Sequence, residues 1–214
     1  MKRIILGCIG AWMLNACAPV KQNGTMEDMF LIVGSYATPQ EEGIKVYAWN
    51  NEKGEATYVS GLTGISNPSY QVVSADGERI YSVGEDDGLT STAHALSFDK
   101  AKGELTLMNA QLTQGGAPCY INIAPDGKSV VTANYMGANI SFIPLEASGR
   151  LTENVKTIAF TGEGEIKNRQ DQPHLHCVEF TPDGKHLLAN DLGTDKIHIF
   201  PLNSDGKLDE KAGF

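Results

Sequence analysis

Apolar and polar positions alternate in short runs along this chain, and no long stretch repeats at helical spacing. β-Branched and aromatic residues cluster in runs of four to eight, punctuated by Gly, Asn and Asp, which is the pattern of an all-β chain. Three segments superimpose without gaps: Pro68-Ser-Tyr-Gln-Val-Val-Ser-Ala-Asp76-Gly77, Pro118-Cys-Tyr-Ile-Asn-Ile-Ala-Pro-Asp126-Gly127 and Leu175-His-Cys-Val-Glu-Phe-Thr-Pro-Asp183-Gly184. Each predicts an alternating strand, a tight Asp-Gly hairpin and a second strand, over 79–85, 129–135 and 186–192. The Asp-Gly steps lie 50 and 57 residues apart.

A third strand follows in every unit, at 44–49, 94–98, 140–145 and 197–202, and a fourth at 57–60, 106–112 and 156–161. Four antiparallel strands recurring near every fifty residues describe the blades of a β-propeller, with a stack of unrelated hairpins or a β-sandwich as the alternative. Gly34-Ser35 stands 50 residues before Gly84-Glu85, which makes 30–34 the second strand of a first unit. The four units then hold three, four, four and three strands. A further fourth strand would start near Glu210.

The chain has 214 residues, with 41% hydrophobic and 20% charged, an ordinary globular composition. Seventeen Lys plus Arg against 26 Asp plus Glu give a formal charge of −9 and no basic cluster, which excludes a nucleic-acid partner. One Arg could still hold a single phosphate.

Residues 1–16 read as a lipoprotein-type signal peptide: Lys2 and Arg3, an apolar run, then Leu14-Asn-Ala-Cys17, which resembles a lipobox. Cys17 is the expected lipidation site, and this anchor is the only expected membrane contact, placing the protein in the cell envelope. Loss of Lys2 and Arg3 would take the charge from −9 to −11. Residues 17–28 read as a tether and 29–214 as the propeller domain. Cys119 and Cys177 would then remain as thiols, and spacing alone leaves open whether they pair.

Further segments carry a resemblance: Asn67-Pro-Ser-Tyr, Gly115-Gly-Ala-Pro-Cys-Tyr, Ala133-Asn-Tyr, Arg169-Gln-Asp-Gln-Pro-His-Leu-His and Asn190-Asp-Leu-Gly-Thr-Asp. Together they resemble the lactonase family of seven-bladed propellers, which includes propeller-type 6-phosphogluconolactonases and carboxymuconate cyclases. The resemblance covers about residues 30–210 and implies the N-terminal half of such a propeller, about 3.5 of seven blades. A later Gly-Pro-Arg-His motif of that family has no counterpart in this sequence. Among matching positions the resemblance favours Arg169, Gln170, His174 and His176. It implies a hydrolase opening a sugar lactone, of the kind used in glucose metabolism, with no cofactor.

The repeat alignment puts Ser69, Cys119 and His176 at one position, the start of the innermost strand, where they should face the channel. His174 lies two residues before His176, so both rings are expected on one face. A His can act as base on the attacking water, and Arg169 can hold an anion with two hydrogen bonds. Gln170, Asp191, Glu85 and Tyr135 are expected to join Ser69 and Cys119 in binding substrate, with Asn134 ending an equivalent strand. Asp195 reads as a turn residue, Cys119 as a small channel-facing residue, and His94, His186 and His198 as packing or surface residues. His-x-His is also half of a zinc site, but no third ligand stands at a fixed spacing, and no metal is expected. Two other readings remain: an envelope propeller that binds a carbohydrate or protein without turnover, and a muconate-type cyclase.

Overall fold

The computed structural model describes residues 29–203, and these contain fourteen strands and no helix. Strands β1 (Met29–Gly34), β2 (Ile44–Asn50) and β3 (Glu55–Leu62) form a first antiparallel sheet in that order. The second sheet runs β4 (Gln71–Val73), β5 (Arg79–Gly84), β6 (Thr92–Asp99) and β7 (Glu104–Leu112). The third runs β8 (Pro118–Ile123), β9 (Ser129–Asn134), β10 (Asn139–Pro144) and β11 (Lys156–Ala159). The fourth holds β12 (Leu175–Phe180), β13 (His186–Asp191) and β14 (Lys196–Pro201). These are up-and-down sheets of three, four, four and three strands, the blades expected from the repeat. The signal segment, Cys17, the tether and the strand expected near Glu210 lie outside the described residues.

The repeated Asp-Gly step closes a hairpin in each of the three blades, with the glycine at positive φ as expected. Gly77, Gly127 and Gly184 have φ near +68°, at 70°, 68° and 67°, while the preceding Asp residues keep ordinary φ. Each glycine amide donates to the carbonyl three residues back, at Ser74, Ala124 and Thr181. Each Asp carboxylate accepts the amide of the residue after glycine, Glu78, Lys128 or Lys185. The loop is therefore a turn that closes on a left-handed glycine, with aspartate capping it.

The blades stack face to face, and the sequence of the second strand in each blade shows how. Along β5 and β9 five consecutive residues are buried. Ile80 enters a core shared with Ile44, Val46, Leu96 and Phe98 of the first two sheets, whereas Tyr81 and Val83 enter the next core with Ile121, Val130 and Ile143. Val131 and Ala133 point the other way from Val130, into a third core with Leu175, Val178, Leu187 and Phe200. A strand buried on both faces loses polar alternation, because each face meets a neighbouring sheet. The terminal sheets differ. Strand β1 alternates, with Met29, Leu31 and Val33 exposed, and β14 exposes Ile197 and Ile199.

Ile121 is fully buried between the second and third blades, whereas Leu89 is 78% exposed. Ile121→Ala should cost about 2–5 kcal/mol, and Leu89→Ala less than about 0.5 kcal/mol. Urea-unfolding midpoints of the two variants check this; equal shifts would contradict the inter-blade core.

Candidate functional site

One irregularity recurs at the start of each inner strand. Opposite β9, the pairing slips between Pro118 and Tyr120, and opposite β13 it slips between Leu175 and Cys177. Cys119 and His176 are the extra residues. In the second blade the amides of Val83 and Glu85 donate to the carbonyls of Tyr70 and Asn67, so Ser69 falls in the same kind of gap. Equivalent bonds run from Tyr135 to Ala117 and from Leu192 to His174. A β-bulge re-aims one side chain and breaks the period of two. Ser69, Cys119 and His176 thus share one rim position in three successive blades.

The two histidines flank this bulge and both rings meet Tyr135, but they differ in exposure. His174 is buried at 5% exposure, while His176 is exposed.

The residues gather into two linked groups along the rim. In the first, the Tyr36 hydroxyl lies 2.9 and 3.0 Å from the two Glu85 oxygens, and the Ser69 hydroxyl donates to Glu85 Oε2. Burial raises the Tyr36 phenol above its ordinary range, and the Glu85 bond and charge add to that. Next to it, Cys119 Sγ faces the carbonyls of Leu175 and His176 at 3.6 Å. Burial, then the Glu85 charge, push its thiol up to about 12, so it stays protonated and is a poor nucleophile. Cys119 and Cys177 are both free thiols.

In the second group Tyr135 is the centre. Its ring stacks on His174 at 4.3 Å and 14° and meets the edge of His176 at 5.9 Å and 89°. The Arg169 guanidinium carbon lies 5.3 Å from the same ring centroid, a cation–π distance. His174 Nδ1 donates to the Tyr135 carbonyl at 3.0 Å, and its Nε2 is 3.7 Å from Asp171. The outcome is an exposed imidazole and an exposed guanidinium against one aromatic ring, with His174 underneath as its support.

Gln170 and Asp191, expected to bind substrate, use their polar atoms inside the protein. Gln170 Nε2 donates to the Leu192 carbonyl at 2.8 Å and to Asp195 at 2.7 Å, and its Oε1 accepts the Ile166 amide at 3.0 Å. These bonds pin the 161–173 segment that carries Arg169. Asp191 Oδ1 accepts the amides of His174 and Gly193 at 2.8 and 2.9 Å, and Oδ2 accepts from Thr194 at 2.6 Å and His198 at 3.4 Å. Asp195, at φ 55°, is a turn residue as expected. Asn134 is buried and bonded to Asn139 and Ser141 at 2.6 and 2.7 Å.

Tyr36 and Asp171 escaped the sequence reading. The signal for Tyr36 was present, since it follows Gly34-Ser35 in the register of Gly84-Glu85, but the first blade has no aligned inner strand to frame it. Two shallow depressions flank the rim. One, of about 400 Å³, is lined by Tyr36, Glu41, Glu42 and Lys45; the other, of about 390 Å³, by Gly88, Leu89, Gly116 and Met136. The histidine cluster lies on the rim rather than in either depression. Among the described residues no three His, Cys, Asp or Glu side chains are grouped as a metal would need.

Burial raises the Asp191 carboxyl, but its bonds from Thr194, the His174 amide, His198 and the Gly193 amide outweigh that and hold it below the ordinary aspartate range. The stability this contributes is full above the unfolded aspartate pKa and is lost as pH falls through the lower folded value. Asp191→Asn should therefore destabilise the protein by about 1–3 kcal/mol at neutral pH and flatten its acid limb. Denaturant midpoints at neutral and acid pH test this; parallel loss of stability in parent and variant would contradict it.

Comparison with known proteins agrees with this architecture. The family described as "Lactonase, 7-bladed beta-propeller" matches residues 30–214. A 6-phosphogluconolactonase of Bacillus subtilis is 34% identical over 180 residues, covering 84% of this chain and 51% of the relative. A solved structure from Bacteroides fragilis is 43% identical, with a TM-score of 0.80, over 90% of this chain and 53% of the other. The periplasmic gluconolactonase of Pseudomonas aeruginosa is 27% identical, with a TM-score of 0.76, over 84% and 52%. The chain spans about half the length of the curated relatives it matches. With its blades, its recurrent inner-strand bulge and this match over nearly the whole described region, the chain belongs to the seven-bladed β-propeller lactonase family.

Proposed function

We propose that the full-length protein hydrolyses a sugar lactone, of the 6-phosphogluconolactone or aldonolactone type. The observation that carries this reading is the exposed imidazole of His176 beside the Arg169 guanidinium, both set against Tyr135 on the rim of a lactonase-family propeller. Support also comes from relatives in Bacillus subtilis and Formosa agariphila that are named 6-phosphogluconolactonase. The Leu14-Asn-Ala-Cys17 segment supports an enzyme anchored by lipid in the cell envelope.

Lactone opening adds water across the ester C–O bond. In this reading His176 takes a proton from water as its oxygen attacks the carbonyl carbon. Negative charge then grows on the carbonyl oxygen, where the Arg169 guanidinium stabilises it. Collapse breaks the ring C–O bond, and the proton held by His176 passes to the departing ring oxygen, leaving a hydroxy acid. His174 acts through Tyr135, as a positioning residue, because its Nδ1 proton is engaged by the Tyr135 carbonyl. Gln170 and Asp191 hold the two segments that present Arg169 and the histidines.

The test is the rate at which the full-length protein opens glucono-δ-lactone and its 6-phosphate, above the spontaneous rate. Turnover of at least one is expected, and His176→Ala should lower kcat/KM by about 10²–10⁴-fold. A rate no higher than the spontaneous one would overturn the reading, and an unaffected His176→Ala variant would overturn the role of His176.

A further inference from the structure

The first group on the rim has a chemical polarity that the second lacks. Tyr36 has one hydroxyl proton, and it is directed at the Glu85 carboxylate; Ser69 has one, and it is directed there too. Having given their only protons to Glu85, both hydroxyls can only accept further hydrogen bonds. Glu85 is itself an acceptor, with about four lone-pair sites of which two are used. The three side chains thus present acceptors alone, around a negative charge. Such an array matches a ligand rich in O–H donors and disfavours a phosphate or carboxylate, which would face like charge.

Three further observations fit a sugar. Tyr36 is 71% exposed, so its ring offers an apolar face beside the carboxylate, as the C–H face of a pyranose ring requires. The bulge that turns Ser69 to the rim is the one that presents His176 two blades on, so both ends of the rim address the same mouth. The link between them is short: Cys119, whose thiol feels the Glu85 charge, faces the His176 carbonyl at 3.6 Å.

We propose that Tyr36, Glu85 and Ser69 form a hydroxyl-recognition site that holds the polyol side of the sugar lactone. The lactone carbonyl then points toward His176 and Arg169, and any anionic substituent is directed away from the first two blades. This rests on the lactonase reading for its choice of sugar, but the binding of hydroxyls does not require turnover. Glu85 makes the main contact, and Tyr36 both touches the sugar and orients the carboxylate.

The experiment uses the full-length protein and two readouts. The first is saturation-transfer NMR with 1,5-anhydro-D-glucitol, a cyclic polyol with neither a carbonyl nor a charge. Wild type is expected to bind it, and Glu85→Gln to bind about 10-fold more weakly, because loss of the charged acceptor leaves only neutral bonds. The second is the ratio of kcat/KM for glucono-δ-lactone to that for δ-valerolactone, which lacks hydroxyls; it should fall about 10-fold in Glu85→Gln. Tyr36→Phe changes an exposed position and keeps the test open should Glu85→Gln fold poorly; it should shift both readouts in the same direction by a smaller factor. Polyol binding that depends on Glu85 without lactone turnover would uphold this site and sink the lactonase reading. No polyol binding by wild type, or unchanged binding and an unchanged ratio in both variants, would overturn the site and leave the lactonase reading standing.

Discussion

Each central blade must have both faces covered. That constraint shapes the described residues. Five consecutive buried residues along β5 and β9 cannot face water on either side, so each sheet is held between two others. Neighbouring residues of one strand, such as Val130 and Val131, therefore belong to different cores. Stacking of twisted four-stranded sheets brings their inner strands together, and the loops at one end of those strands collect on a common rim. Every candidate residue owes its place to that fan.

The rim gains its chemistry from a small departure from regular pairing. One extra residue at the start of each inner strand frees Ser69, Cys119 and His176 from the alternation that would send them toward a blade face. The same site is used differently in each blade: a hydroxyl that fixes a carboxylate, a protonated thiol lodged against carbonyls, and an exposed imidazole. Beneath them sits a layer of fully bonded polar groups, Asn134 in one blade and Asp191 in the next. Satisfied networks of this sort hold a rim in one geometry, which suits a site whose donors and charges must be placed in advance.

Much of this was legible in the residues. The register of three ungapped segments located all fourteen strands, because alternation and Asp-Gly punctuation are local signals that tertiary contacts did not override. The equivalence of Ser69, Cys119 and His176 was also visible. What alternation could not reveal was the bulge, since it depends on pairing with β9 and β13; hence the burial of His174 beside an exposed His176 was not foreseen. Gln170 and Asp191 look like ligand-binding residues in sequence, but their polar atoms are taken up inside the protein, partly by local groups and partly by the distant Leu192 carbonyl and His174 amide. Tyr36 shows the reverse case: it is unremarkable in the chain, and its meaning comes from Glu85, 49 residues away.

In the proposed arrangement one rim, set by the inner-strand bulges, receives a sugar acid with its hydroxyls at Glu85 and its carboxyl end at Arg169 and His176. A crystal structure of the full-length protein with gluconate, the hydroxy acid that lactone opening would release, tests this most directly. Gluconate is expected to lie across the rim, its hydroxyls on the Glu85 carboxylate and its carboxylate on the Arg169 side. Gluconate seated instead in the depression lined by Gly88, Leu89 and Gly116, with the rim unchanged, would contradict it.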